Sequence, residues 1–279
     1  MIRSFSVFSK LTLFSLVLLS SCSVPLYVSM WQHAPVKADG NPWEWTKPLR
    51  YYDSGSKLQY TFSNDLKNMY ICVRATNEES QQKILRGGMQ IWIDTTGKAK
   101  ERSGLLFPLP ETETKEDVNR ERRQDPGTSE FRTKKKFRND RTELELTGFK
   151  PPASGILPLQ NIYGVTANIN MDSLDILTYE AIIPFRTFFK DSLLPADSSR
   201  VFSFKIVVNG LPHAKKDNGS QASSDMGATS GSMGGAGRRP GGSPRGGDRT
   251  PSNPMYESHS MKTNIRLRTV PTPLPKKWE

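Results

Sequence analysis

Apolar and polar side chains alternate with a period of two along much of this chain, which is typical of strands that bury one face. Residues 57–63 show the alternation, and residues 89–94 repeat it with Met89, Ile91 and Ile93 on one face. Helical periodicity is confined to short segments, so we expect strands to supply most of the core. The helical segments are residues 77–85, 114–123 and 185–192.

The remaining strand-like segments are short and are separated by turn signals such as Asn209-Gly210. A series of short strands with few helices predicts an all-β fold, and we expect an antiparallel β-sandwich. The further strands that we predict are residues 142–146, 163–171, 177–185, 201–208 and 264–270.

Two segments interrupt the strand pattern. Residues 111–141 carry a dense mixture of charges with a basic second half, which predicts a solvated insertion. Residues 214–260 are rich in Gly, Ser, Pro and Arg and poor in apolar side chains. Because such a segment cannot repay the entropy of ordering, we predict a disordered loop. The sandwich domain would span residues 37–213, and residues 261–279 would supply its last strand and a C-terminal tail.

The N-terminus has the parts of an export signal. Basic residues come first, residues 11–19 form a short apolar run, and Leu19-Ser20-Ser21-Cys22 follows. The pattern resembles the signal of bacterial lipoproteins, which implies that residues 1–21 are removed and that Cys22 carries lipid. The resemblance implies a cell-envelope protein anchored to a bacterial membrane, expected to be the outer one, with the facing side open. An ordinary secretory peptide and a membrane anchor are the alternatives, but the run is short for a bilayer.

Residues 22–36 have no clear periodicity and predict a tether between the lipid and the domain. Two aromatic residues, Tyr27 and Trp31, are unusual for a plain spacer. They either lie at the membrane interface or pack back on the domain, and the sequence leaves both alternatives open.

The chain is strongly basic, with 39 Lys and Arg against 28 Asp and Glu and a formal charge of +11. Such an excess would suit nucleic acid, but export removes that partner, so none is predicted. Anionic lipid headgroups, lipopolysaccharide, acidic glycans or an acidic protein remain. If Cys22 bears lipid, Cys72 is left without a disulfide partner, and we expect it to be a small buried side chain.

Four motifs occur in a characteristic order along the chain. They are Asp39-Gly40 followed by Trp45, a strand pair around Tyr60 and Met69-Tyr70-Ile71, then Met89-Gln90-Ile91-Trp92-Ile93-Asp94, and finally Tyr179-Glu180-Ala181-Ile182-Ile183-Pro184-Phe185. The series resembles the family 9 carbohydrate-binding modules and the wider DOMON-like β-sandwiches. The resemblance covers about residues 36–210 and the terminal strand, and implies one sandwich domain. It leaves the ligand open, because sandwich folds carry many unrelated sites.

Sugar-binding members of that family clamp a saccharide between aromatic faces. Trp43 and Trp92 are therefore the candidate ligand-binding residues, although burial in one of the sheets is the favoured alternative for both. Trp45 occupies the early tryptophan position of the motif and is expected in the core. The other motif residues are expected to be structural, the two aspartates as turn residues that bond backbone amides. They are Asp39, Gly40, Asp94 and Glu180.

No metal or cofactor site is predicted. Calcium needs several oxygen ligands, and no compact loop of alternating acids joins Asp39, Asp53, Asp94 and Glu180. DOMON-like relatives that bind haem use Met with His or Lys as axial ligands. Met89 is a possible position, but the three histidines of the chain lie outside the predicted strands.

No nucleophile elbow, zinc-protease motif or glycine-rich phosphate loop occurs in the sequence. We therefore predict a lipid-anchored, non-catalytic β-sandwich of the cell envelope that binds a carbohydrate or another envelope ligand. The alternative is a structural or assembly lipoprotein that contacts another envelope protein. Exposure of Trp43 and Trp92 discriminates between them, because a sugar binder needs an aromatic platform that is open to solvent.

Overall fold

The computed structural model describes residues 24–110, 141–211 and 254–271 of the 279-residue chain. This part is mostly β, with a few short helical turns, and forms two sheets, so the all-β prediction is confirmed as a mainly β fold. The predicted signal peptide, Cys22, the predicted helix over 114–123 and most of the two predicted insertions lie outside the described residues. No helix within the described ranges is long and apolar enough to cross a bilayer.

The strands are numbered in chain order. The first sheet contains β1 (Leu26–Val28), β6 (Met89–Asp94), β7 (Ser103–Phe107), β8 (Glu143–Thr147), β9 (Gly155–Pro158), β12 (Val201–Val208) and β13 (His259–Arg266). They lie side by side in the order β1-β13-β12-β6-β7-β8-β9.

The second sheet contains β2 (Met30–Trp31), β3 (Tyr51–Asp53), β4 (Leu58–Asn64), β5 (Asn68–Ala75), β10 (Thr166–Met171) and β11 (Leu177–Pro184). Its order is β10-β11-β5-β4-β2, and β3 pairs with β4 beside this path.

Both sheets are mixed, whereas the sequence predicted antiparallel ones. β1 pairs in parallel with β13, and β2 pairs in parallel with β4. Because only Ser29 separates β1 from β2, consecutive strands of the chain extend an edge of each sheet in turn. Residues 26–31, which the sequence assigned to the tether, are therefore part of the two sheets. Of the two alternatives for Tyr27 and Trp31, the structure has the one in which the segment packs on the domain.

The two sheets face each other across one hydrophobic core, and the alternation along each strand decides which side chains enter it. Residues 89–94 bury the predicted face of Met89, Ile91 and Ile93. Aromatic contacts join the sheets: the ring centroids of Phe62 and Phe204 are 4.8 Å apart, and those of Phe107 and Tyr179 are 6.0 Å apart.

Helices are few and short. Helix α1 (Glu78–Gln82) begins at Asn77, whose side chain accepts a hydrogen bond from the Ser80 amide, and a wider turn over Lys83–Gly87 follows it. The predicted helix over residues 185–192 is wrong beyond its first turn, Phe185–Thr187. The amides of Phe188 and Phe189 still donate back to Phe185 O, and just after the segment Leu193 N–H donates across to Leu66 O.

The last strand begins earlier than predicted. Residues 264–270 were expected, but β13 runs from His259 to Arg266 because it pairs with β12 over its full length, from Val208 opposite His259 to Val201 opposite Arg266. The predicted disordered loop over residues 214–260 therefore extends too far at its C-terminal end, since His259 and Ser260 belong to β13 and Pro254–Tyr256 forms a single helical turn. His259, expected outside the strands, is the first residue of β13.

Candidate functional site

The outer face of the second sheet is covered by residues 36–49, which hold a second, smaller hydrophobic cluster. Trp45 and Leu49 pack there against Tyr70 and Cys72 on the outer face of β5. The segment is bent by a single helical turn, Pro42–Glu44, and the Asn41 side chain caps it by accepting a hydrogen bond from the Trp43 amide at 3.3 Å.

Glu180, in the middle of β11, fastens this covering segment to the sheet. Its side chain is fully buried, and one carboxylate oxygen accepts a hydrogen bond from the Trp45 indole N–H at 2.6 Å. The other oxygen accepts from the backbone amides of Gly40 at 2.7 Å and Asp39 at 3.2 Å. Asp39 in turn accepts a hydrogen bond from the Asn41 amide at 2.8 Å.

Gly40 is required where it approaches the sheet. Its φ is +77°, a left-handed conformation that favours glycine, and a Cβ there would lie 2.3 Å from Cβ of Asn170. This absence of a side chain lets the backbone amide reach Glu180.

Burial raises the pKa of Glu180 to about 7, although the hydrogen bonds from Trp45 and Gly40 favour its ionised form. The neighbouring Asp39 carboxylate raises that pKa further. The Cys72 thiol lies opposite Glu180 in the β5–β11 pairing. Burial, and then the charge of Glu180, raise the pKa of Cys72 well above its usual value. Cys72 is therefore an inert packing group.

A pocket of about 220 Å³ opens beside this cluster, between β2 and the covering segment. Trp31 and Trp45 line it together with polar residues. Among the described residues no hydrogen bond is made by the Trp31 indole N–H, the His33 ring or the Thr46 hydroxyl, so these groups remain available. The remaining lining residues are Met30, Gln32, Ala34, Glu44 and Ser63.

Trp43, one of the two candidate ligand-binding residues, is 80% exposed, so the favoured expectation of burial is wrong for this residue. It lies outside the pocket lining. The Lys47 ammonium sits 3.9 Å from the centre of one ring face. This cation–π contact covers that face and leaves the other to solvent.

Trp92, the second candidate, is half-buried on the outer face of the first sheet. Its ring lies over Gly104, where a Cβ would be 2.6 Å from the nearest ring atom. Trp92 lies between its register partners Lys205 on β12 and Gly104 on β7, in a row of paired residues that crosses five strands. The two candidates therefore lie on opposite sides of the molecule, and the structure does not bring them together.

Asp94 is a buried turn residue. It accepts hydrogen bonds from the amides of Thr96 at 2.9 Å and of Lys98 and Lys100 at 3.1 Å, and it pairs with Arg102 at 3.2 Å. Burial alone would raise the pKa of Asp94, but the hydrogen bonds outweigh it and hold that pKa below its usual range. The carboxylate is fully used by the protein itself.

No group of three or more His, Cys, Asp or Glu side chains in the described ranges is arranged to hold a metal ion. Asp53 is bonded to His259, with 3.0 Å between Oδ2 and Nε2, rather than to another acid. Met89 is fully buried in the core.

Sequence reasoning did not select the residues of the pocket. Trp31 drew notice as an aromatic residue in the predicted tether, but His33 and Glu44 carry no motif. Their proximity depends on β2 pairing with β4 and on the fold of residues 36–49, which are both tertiary features. An aromatic residue in a segment expected to be a spacer was the one available signal.

No family model, no curated protein and no solved structure matches this chain.

Proposed function

We propose that this protein is a lipid-anchored, non-catalytic component of the bacterial cell envelope that binds one sugar unit of a glycan in the pocket beside Trp31 and Trp45. The observation that carries the proposal is the composition of that pocket: the partly exposed Trp31 lies next to hydrogen-bonding groups that have no partner among the described residues, and the buried Trp45 completes the lining. Sugar rings pack their C–H bonds on aromatic faces while their hydroxyl groups bond polar neighbours, so this combination suits a saccharide.

The size of the pocket favours a single ring. Its volume of about 220 Å³ is below the range of roughly 300–1,000 Å³ in which drug-sized ligands are enclosed. A terminal sugar or one unit of a chain fits this description, with the remainder in solvent. The lining contains one carboxylate, Glu44, and no Lys or Arg, which favours a neutral sugar unit over a phosphate.

The hydrogen bonds inside the domain support a β-sandwich of the family 9 carbohydrate-binding type. Two of the four motifs behind that resemblance are in direct contact, because the Gly40 amide and the Trp45 indole both donate hydrogen bonds to the carboxylate of Glu180. A shared, buried hydrogen-bond cluster explains why these residue types occur together in one sequence. Lipid anchoring rests on the Leu19-Ser20-Ser21-Cys22 signal.

Binding of the purified protein to a panel of neutral and acidic polysaccharides, followed by titration calorimetry, tests the proposal. Trp31→Ala and His33→Ala should each weaken binding, the former at least tenfold, about 1.4 kcal/mol. His33 is exposed and forms no hydrogen bond among the described residues, so His33→Ala should leave the melting temperature unchanged. The His33→Ala variant therefore separates an effect on binding from an effect on folding.

Trp43→Ala and Trp92→Ala are the matched controls, since both tryptophans lie outside the pocket. Both should retain binding, and Trp43→Ala should cost less than about 1 kcal/mol of stability, as expected at the surface. Loss of binding in either control with full binding by Trp31→Ala would contradict the pocket assignment. Absence of binding to every glycan, with capture of a defined envelope protein, would favour the structural lipoprotein instead.

A further inference from the structure

Strand β10 forms an edge of the second sheet. It pairs with β11 on one side, and in the part of the chain that the structure describes no strand pairs with its other side. Asp172 N–H donates to Ile176 O at 3.1 Å just after the strand, so the hydrogen-bonded rows of the β10–β11 pair are those of the even-numbered residues of β10. The backbone N–H and C=O groups of Ala167, Ile169 and Met171 therefore point away from β11.

This edge lacks the usual protection against pairing. Edge strands of natural sheets commonly carry charged side chains or prolines that prevent another strand from adding to them. The six residues of β10, Thr166–Met171, include neither. The Met171 amide is bonded locally, because it donates to the Asn170 side chain at 2.9 Å. The backbone groups of Ala167 and Ile169 have no hydrogen-bond partner among the described residues, so the edge can accept a further strand.

Each end of β10 carries an exposed apolar side chain. Ile162, before the strand, is 84% exposed, and Leu174, in the turn after it, is 77% exposed. Single exposed apolar residues are common on protein surfaces, so the position of these two matters more than their number. If a second β10 added in the antiparallel direction, Ile162 of one copy would lie beside Leu174 of the other, and this contact would form at both ends.

The charges at the two ends of β10 have opposite signs. Arg186 lies at the first end, where its guanidinium donates to Ile162 O at 3.2 Å and to Tyr163 O at 2.9 Å. It is exposed and forms no ion pair within the described ranges. Asp172 and Asp175 lie in the turn at the second end. In an antiparallel pair of copies, the cation of each copy therefore faces the acidic turn of the other.

The sequence of β10 matches itself when two copies pair about a two-fold axis at Ile169. Ile169 then lies opposite its own copy, and on the same inner face Ala167 lies opposite Met171, so a small side chain meets a large one. On the outer face Asn168 lies opposite Asn170, where the two carboxamides can form a hydrogen bond across the pair. Because the strand carries no charge, no like charges oppose each other.

We propose that β10 is a dimerisation edge, to which a second copy of this chain adds its own β10 in the antiparallel direction, so that the second sheets of both copies become continuous. The sugar pocket stays open in this dimer, because β2, which contributes Met30 and Trp31 to the lining, is at the other end of the strand order from β10. Two open pockets in one assembly bind repeating units of a polysaccharide together, which raises the apparent affinity without a new contact. This gain rests on the proposed function, whereas the dimer itself does not.

Sedimentation equilibrium of the full-length protein, in a detergent matched to the density of the solvent, measures the dimer. We expect a monomer–dimer equilibrium with a micromolar dissociation constant, because edge pairing buries a small interface. Leu174→Ser should raise this constant roughly tenfold, since each dimer loses the contact twice. Tyr52→Ser is the matched control: Tyr52 is 62% exposed and lies in β3, on the side of the same sheet away from β10. Both side chains are exposed, so neither variant should change the melting temperature.

Charges introduced at the facing positions test the antiparallel register. In Asn168→Lys/Asn170→Lys each new lysine faces a lysine of the other copy, so the dimer should be lost. In Asn168→Lys/Asn170→Glu each lysine faces a glutamate, so the dimer should form at least as strongly as in the wild type. Because the two double variants share Asn168→Lys and differ only at position 170, a difference between them reports the charge that faces the lysine.

A wild-type protein that is monomeric at every concentration would overturn the proposal, as would a dimer that dissociates in Tyr52→Ser but not in Leu174→Ser. Equal association of the two double variants would also overturn it, because the facing positions would then be others. Glycan binding is measured on the same samples and separates the two proposals. A monomer that binds glycan contradicts only the dimer, whereas a dimer that binds no glycan contradicts only the proposed function.

Discussion

The outer faces of the two sheets have the same alternating strands beneath them but different surroundings. On the second sheet, residues 36–49 cover the face, and Glu180 and Cys72 are fully buried. On the first sheet the corresponding positions face solvent, as the exposed Lys262 and half-buried Trp92 show. Whether a side chain that points away from the main core is buried or exposed therefore depends on whether another segment of the chain covers it.

The same difference separates the two tryptophans of the motifs. Trp45 lies in the second cluster and donates its indole N–H to a buried carboxylate, whereas Trp92 lies on an open face over Gly104. Residue type alone does not distinguish a buried tryptophan that bonds a neighbouring segment, such as Trp45, from a tryptophan on an open surface, such as Trp92. The distinction is energetic and can be measured.

Truncation of the two tryptophans should give the largest contrast. Trp45→Ala removes a buried ring and leaves Glu180 without one of its donors, so it should cost about 3–5 kcal/mol in the free energy of unfolding. Trp92→Ala should cost roughly 1 kcal/mol, because its ring is half in solvent already. Urea denaturation followed by circular dichroism measures both, and equal losses would contradict the distinction between covered and open faces.

Glu180 should make stability depend on pH. Its pKa is about 7 in the folded protein and about 4.3 in the unfolded chain, so the folded state binds the proton more tightly. The stabilising contribution is complete below pH 4 and is lost as pH rises through 7, a decrease of up to about 4 kcal/mol. In Glu180→Gln the free energy of unfolding should vary much less between pH 5 and 8. A wild-type protein that gains stability over this range would contradict the prediction.

The smallest expected loss of stability comes from a substitution of Gly104, which tests only the open outer face of the first sheet. In Gly104→Ala the new methyl group would lie 2.6–2.9 Å from three atoms of the Trp92 ring, so the ring must tilt outward. The cost should be about 1 kcal/mol, and it should disappear in the background of Trp92→Ala. A double-mutant cycle from thermal melts checks this, with additive losses as the result that would show no contact between the two residues.

The sequence predicted those parts of the fold that carry strong alternation. The segments around Phe62, Ile91 and Phe204 lie within the predicted strands, because one face of each is uniformly apolar. β1 and β2 escaped prediction, since their partners β13 and β4 lie far along the chain and their pairing uses backbone groups that carry no sequence signal. The start of β13 was missed for the same reason: His259 and Ser260 join the sheet through their backbone.

For the candidate site, the sequence selected motif residues but not the pocket. Glu180, Gly40 and Trp45 are recognisable from their motifs, yet they serve to fasten residues 36–49. The pocket arises where that fastened segment meets β2, so its lining, including Trp31 and His33, depends on two non-local events. No local pattern encodes such a meeting point.

The contact between Leu211 and Met255 closes the connection between β12 and β13, and it therefore determines how freely the length of that connection can change. These strands are antiparallel neighbours whose register is set along eight residue pairs, so the connection between them replaces a hairpin turn and has no role in aligning them. The entropy of closing such a loop grows only with the logarithm of its length, about 0.6 kcal/mol for each doubling. Changes in the length of the connection between Leu211 and Met255 are therefore expected to cost little folding free energy.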